Sequence, residues 1–318
     1  MKAQLFSATL FTAFSGVLSA ADPQLLNLVM PDAKVIAGVN VEQAKGTQFG
    51  QYVLNQIQTT DGDMQKLITL TGFDPRRDVR EVLVANNGTP QSKTGLALAR
   101  GSFDIARITA AATTEGKDVV TETYAGVTIL EDTKRTHGIA FLDSTTVAAG
   151  DLASVKGAID RRTNAQPLPA ALLVKINQWS TSQDAWGIST VPVSTFAPAH
   201  PTAGTGTQPP NPMASAAQNV QEAYGGVKFG TNVVFTGEAV CDTAQNATAL
   251  GDLVKFMVNL AQMQGGQDPK LQALANSVTV TPSGTSLKVT ASLPQDVFTQ
   301  MLQPHHRVGP AGLHTRKQ

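Results

Sequence analysis

Two carboxylates four residues apart, Asp74 and Asp78, stand in the run Gly72-Phe73-Asp74-Pro75-Arg76-Arg77-Asp78. Paired carboxylates can hydrolyse a bond by general acid–base chemistry, provided that one of them keeps its proton near neutral pH. Arg76, Arg77 and Arg80 oppose that, because nearby cations favour the ionised form. The pair therefore reads as helix caps and surface ion pairs. Asp104, after Phe103, has the same look, with the Asp capping a helix and the Phe packing beneath it. Asp74, Asp78 and Asp104 remain the candidates should this be a carboxylate-dependent hydrolase of the cell envelope.

Other chemistry is thinly represented. The five histidines are His137, His200, His305, His306 and His314. His305-His306 can attract a transition metal, but two adjacent ligands in an irregular tail do not define a site. The single cysteine, Cys241, excludes an intramolecular disulfide and a Cys-rich metal site, and it reads as a small apolar residue before a helix. There is no Gly-x-Ser-x-Gly elbow, no Ser-x-x-Lys pair and no His-Glu-x-x-His. Gly204-x-Gly206 follows prolines rather than a strand, so it is no dinucleotide loop. No residue is assigned to catalysis, a cofactor or a metal. Trp179 and Trp186 bracket a helix-to-strand connection and can form a stacking surface for a ligand, although core or rim packing is the favoured reading. Phe196 adds an apolar side chain to a proline-rich loop.

Composition narrows the class further. The 318 residues suggest about two domains. Lys+Arg and Asp+Glu are 24 each, so no bulk charge favours nucleic acid. Charged residues are only 15%, against a usual ~25%. Hydrophobic residues are 42% and aromatics 5%, which gives a core of Ala, Val, Leu and Ile. Met1-Lys2 begins a short basic start, Ala3 to Val17 is uncharged and mostly apolar, and Ser19-Ala20-Ala21 are small. This pattern predicts a secretory signal peptide over residues 1–21, cleaved near Ala21. No later stretch reaches the ~18 apolar residues of a membrane span. The mature chain is therefore expected to be soluble and either periplasmic or extracellular.

The elements that must position these residues form an α+β pattern. Lys34 to Val41 reads as a strand, and Thr47 caps a helix carrying Phe49, Val53, Leu54 and Ile57. Asp74 caps a turn that begins at Pro75. Strands are predicted over Glu81–Ala85 and Gly95–Arg100. Hairpins follow around Ala125-Gly126 and Asp143-Ser144, and Asp151 caps the next helix. The second half repeats the plan. A helix over Leu168–Trp179 precedes a strand over Ala185–Val191. Met213–Tyr224 is helical by composition, and Val227–Val240 is β-rich. Asp242 caps a long helix that Gly265-Gly266 stops. A hairpin then turns at Pro282-Ser283-Gly284, and a last helix opens at Pro294. The expected fold is α+β, with mixed or antiparallel sheets, helices packed on one face, and two similar units able to share one sheet. The units are 22–165 and 166–303. The second contains a loop over residues 192–212 in which six of 21 residues are proline. A basic tail, 304–318, is expected to be disordered.

Several phrases resemble a group of uncharacterised exported bacterial proteins: Val29-Met30-Pro31-Asp32-Ala33 before a strand, Gly72-Phe73-Asp74-Pro75, Gly101-Ser102-Phe103-Asp104 and Tyr124-Ala125-Gly126-Val127. The likeness covers about Leu26 to Ile159 and implies no transferable activity or catalytic residue. The reading is an exported, non-enzymatic interaction or binding module whose partner is an envelope protein or a small ligand. The alternatives are the hydrolase above and a carrier of a small apolar ligand beside Trp179 or Trp186.

Overall fold

A computed structural model describes residues 20–60, 62–89, 94–115, 118–196, 212–264 and 269–302. The leader up to residue 19, most of the proline-rich loop, the Gly265-Gly266 stop and the tail from Gln303 lie outside the described residues.

A one-turn helix, α1 (Pro23–Leu26), precedes strand β1 (Val35–Asn40). Four helices follow: α2 (Val41–Lys45), α3 (Gln48–Thr60), α4 (Gly62–Thr71) and α5 (Pro75–Asp78). The hairpin of β2 (Val79–Asn86) and β3 (Leu96–Gly101) leads into α6 (Ile105–Glu115). Next is a meander of β4 (Val119–Tyr124), β5 (Val127–Asp132), β6 (His137–Asp143) and β7 (Thr146–Asp151). Two helices follow it, α7 (Leu152–Arg161) and α8 (Ala170–Ser182), and then β8 (Ala185–Ser189). The chain resumes with α9 (Pro212–Ala217), β9 (Val220–Lys228) and β10 (Asn232–Cys241). Last come α10 (Ala244–Gln264), α11 (Pro269–Ser277), β11 (Thr279–Ser283), β12 (Ser286–Pro294) and α12 (Gln295–Leu302).

Among the described residues, twelve strands form one antiparallel sheet, in the order β11-β12-β10-β9-β8-β1-β2-β3-β7-β6-β5-β4. Outward from the central β1–β8 pair, one side runs β1-β2-β3-β7-β6 and the other β8-β9-β10-β12-β11. The two successions match strand for strand, and β5-β4 extends the first side.

Strand alternation divides the side chains between two faces. Ile36, Leu83, Leu98, Ala148, Ile188 and Tyr224 point to one face, where α1, α7 and α8 cover them with Leu25, Val155, Ile159 and Ile176. Across the β10–β12 region the opposite face is covered instead. There Leu287 and Cys241 pack beneath Ala247 and Leu250 of α10. The helices thus pack alongside the sheet as expected for α+β, and the two groups take opposite faces. Between them, the second face of the central strands is left only partly covered, with Val39 37% and Val84 45% exposed.

Local signals act as read at most positions. Asp74, Asp104 and Asp151 cap α5, α6 and α7 through the amides of Arg76, Arg107 and Ser154. Ala125 (φ 46) and Gly126 (φ 77) both take left-handed conformations. A two-residue hairpin turn requires them there. Two expectations shift. The cap of α10 is Thr243, whose Oγ1 accepts from Asn246 N, while Asp242 accepts only the Asn246 side-chain amide. Met213–Tyr224 is helical only to Ala217. From Val220 the chain is β9, whose alternating side chains fit between β8 and β10, and that pairing overrides helix propensity.

Candidate functional site

The partly covered face carries a cleft where β1 ends and β2 and β8 begin. Val39, Val82 and Ala185 share that face by register. The chain leaves β1 at Asn40, whose Oδ1 accepts from Gln43 N at 2.9 Å and caps α2. It then turns sharply into α3. Thr47 Oγ1 donates to the Ala44 carbonyl at 2.7 Å and accepts from Gly50 N at 3.0 Å. A Cβ at Gly50 would overlap the Ala44 carbonyl oxygen, so only glycine permits this corner. The corner leads into α3, whose Phe49, Val53 and Leu54 line the space opposite the sheet. A cleft of about 470 Å³ lies between them.

Its walls are apolar and include Val39, Phe49, Val53, Leu54 and Val82. Phe49 stacks on Phe229 with centroids 4.7 Å apart and leans on Phe298 of α12 at 5.1 Å. Only two lining residues are charged, and both are cations, Lys45 and Arg76. Lys45 Nζ donates to the carbonyls of Val79 (2.6 Å) and Arg77 (3.3 Å), with Glu42 at 3.7 Å. Arg76 pairs with Asp74 through Nε (2.8 Å) and Nη2 (2.6 Å), so Nη1 lies outside the fork. The arrangement can hold an apolar body beside Lys45 and the Arg76–Asp74 ion pair.

The residues singled out from sequence lie elsewhere or act structurally. The Arg76 fork holds the Asp74 carboxyl below its ordinary range, and Arg77 does the same to Asp78. Asp78 and Asp104 share a neighbouring hollow with Phe73 and Phe103, while Asp74 belongs to the rim of the cleft through Arg76. Trp179 and Trp186 are core residues, 5% and 6% exposed. Trp179 packs on Tyr224, and the Trp186 ring lies over Gly38, where a Cβ would come within 2.7 Å. Both rings are buried among core side chains, and the cleft opens on the other face of the sheet. Phe196 is 45% exposed beside a second, shallower hollow with Val84 and Ala97. Cys241 is buried, and burial pushes its thiol pKa up. His137 is exposed at the start of β6, 4.0 Å from Asp132. Among the described residues no cluster of His, Cys, Asp or Glu suits a metal.

Sequence reasoning missed the two carboxylates whose pKa is raised by burial, Glu81 and Glu131. Glu81 Oε1 accepts from Asp22 N at 3.0 Å. Glu131 is 1% exposed beside Glu122, and neither of its oxygens has a hydrogen-bond partner among the described residues. Alternation held the signal: Glu81 lies two residues before Leu83, and Glu131 two residues after Ile129, on core-facing positions. Both face away from the cleft. Also missed was the cleft itself, since Val39, Phe49 and Val82 read as ordinary core residues.

No known protein family matches the sequence, and no curated protein matches it. The fold does have solved neighbours. Three crystal forms of TP0453 superpose on the chain. Form III gives a TM-score of 0.54 at 11% identity, covering 86% of this chain and 96% of that one. Form I gives 0.51 at 10%, with 86% and 94% covered. Form IV gives 0.52 at 13%, with 90% and 99% covered. At these identities the likeness is one of fold. No helix among the described residues is long and apolar enough to cross a membrane.

Proposed function

We propose that this is a non-enzymatic binding protein of the bacterial envelope that holds a small apolar ligand in the cleft under α2 and α3. The cleft carries the reading. Its volume is about 470 Å³ and its walls are aliphatic and aromatic. Small-molecule sites begin at roughly 300 Å³ and are lined in the same way. Side chains such as Val39 and Val53, each 37% exposed, gain by covering. The hydrolase alternative draws less support, because Asp74 and Asp78 are held ionised by arginines and the carboxylates with raised pKa face the other side. The test is titration with the uncharged probe N-phenyl-1-naphthylamine. Wild type should enhance its fluorescence saturably, and Val53→Glu should abolish the enhancement without lowering Tm. Equal binding by both proteins would count against the cleft.

Export belongs to the same proposal, with the leader removed near Ala21. Its support is the basic-apolar-small order of residues 1–21. In the fold Asp22 N lies 3.0 Å from Glu81 Oε1 and Asp22 Oδ2 lies 2.8 Å from Arg100. A new terminus at Asp22 would therefore place its ammonium against a carboxylate. N-terminal sequencing of the secreted chain should begin at Asp22, and an intact Met1 would contradict it. We further read residues 22–165 and 166–303 as two copies of one plan, supported by the matching strand successions on either side of the β1–β8 pair.

A further inference from the structure

We infer that the ligand of the cleft is a single-chain amphiphile with an anionic head, a long-chain carboxylate in chemical class. The inference rests on the apolar-ligand reading and adds its polar end. Of the described residues lining the cleft, two are charged and both are cations, Lys45 and Arg76; their carboxylate partners, Glu42 at 3.7 Å and Asp74 at 2.6 Å, stand outside that lining. The side chains of Lys45 and Arg76 are only 16% and 19% exposed. Asp74 already offsets the Arg76 charge, whereas Lys45 has only the exposed Glu42 3.7 Å away, so Lys45 supplies most of the attraction for an anion. Neither has all its donors engaged. Lys45 donates to two carbonyls, with its nearest carboxylate 3.7 Å away. An ammonium has three donors. Arg76 uses Nε and Nη2 on Asp74 and keeps Nη1 outside that pair.

The two cations come from α2 and α5, and the stacked pair Phe49 and Phe229 also lines the cleft. A head group held by Lys45 and Arg76 leaves its chain to the apolar lining of Val39, Val53, Val82 and the two phenylalanines. A cationic or zwitterionic amphiphile would instead bring positive charge to Lys45 and Arg76. The modest volume suits one alkyl chain better than a two-chain lipid.

The experiment compares dodecanoate, dodecanol and dodecyltrimethylammonium on the full chain by isothermal titration, each below its micelle concentration. Dodecanoate should bind about tenfold more tightly than dodecanol, the effect of roughly one charge-assisted hydrogen bond, and the ammonium compound should bind most weakly. Lys45→Met with Arg76→Met should bring dodecanoate down to the affinity of dodecanol and leave dodecanol binding unchanged, which also shows that the variant is folded. Should the double variant lose dodecanol binding as well, each single substitution is read in the same way. Equal affinity of wild type for dodecanoate and dodecanol, or a preference that survives both substitutions, overturns the anionic head group while leaving the apolar cleft standing. Failure of all three compounds to bind overturns the apolar-ligand reading itself.

Discussion

Glu131 is a buried carboxyl without a hydrogen bond among the described residues, with Arg135 3.7 Å away. Burial raises its pKa, and Glu122 beside it adds repulsion. A carboxyl whose folded pKa is raised stabilises the fold below the ordinary carboxylate range and loses that contribution as pH rises through the raised value. Glu122 works in the opposite sense. Lys156, at 2.7 Å, holds its pKa down, so its contribution is present above the ordinary range and is lost as pH falls. Glu131→Gln should therefore raise Tm at neutral pH, and the gain should shrink toward about pH 4, read by circular dichroism melts. A gain that does not change with pH would show that Glu131 is not ionised in the neutral fold. Lys156 lies 5.2 Å over the Tyr124 ring, and Lys175 makes a matching cluster with Glu222 and Tyr224. Each ties a helix to the sheet through a Glu-x-Tyr strand segment.

At the scale of elements, the corner between α2 and α3 decides whether the cleft exists. A Cβ at Gly50 would drive α3 off Ala44. Gly50→Ala should therefore cost about 1–3 kcal/mol in urea unfolding and weaken probe binding. The cap of α10 gives a second check, because Thr243 makes the backbone bond and Asp242 does not. Thr243→Ala should cost about 1 kcal/mol, whereas Asp242→Ala should cost clearly less. Much of this level was legible in the sequence, and for local reasons. Thr47, Asp74, Asp104 and Asp151 act on amides two or three residues away, so type and spacing sufficed. The end of the helix before Tyr224 was not legible, because β9 exists only through pairing with β8 and β10. Nor was the cleft. Ile36 and Val39 belong to the same strand and the same residue class, and only the whole sheet shows that the first meets covering helices and the second an opening.

For the molecule as a whole, the β1–β8 pair joins the two strand successions into one sheet. Gly38 sits at that seam with the Trp186 ring over it. Gly38→Val should cost about 3 kcal/mol and lower a single cooperative transition in denaturant. Two separate transitions would mean that the halves fold independently. The central claim is that the opening on the second face receives an apolar ligand. Its most direct measurement is a methyl-resolved NMR titration of the full chain with N-phenyl-1-naphthylamine. The shifts should concentrate on the methyls of Val39, Val53, Leu54 and Val82, with Ile36, Ile176 and Ile188 unmoved. Shifts centred instead on Val84 and Ile139 farther along the face, or no shifts at saturating probe, would contradict it.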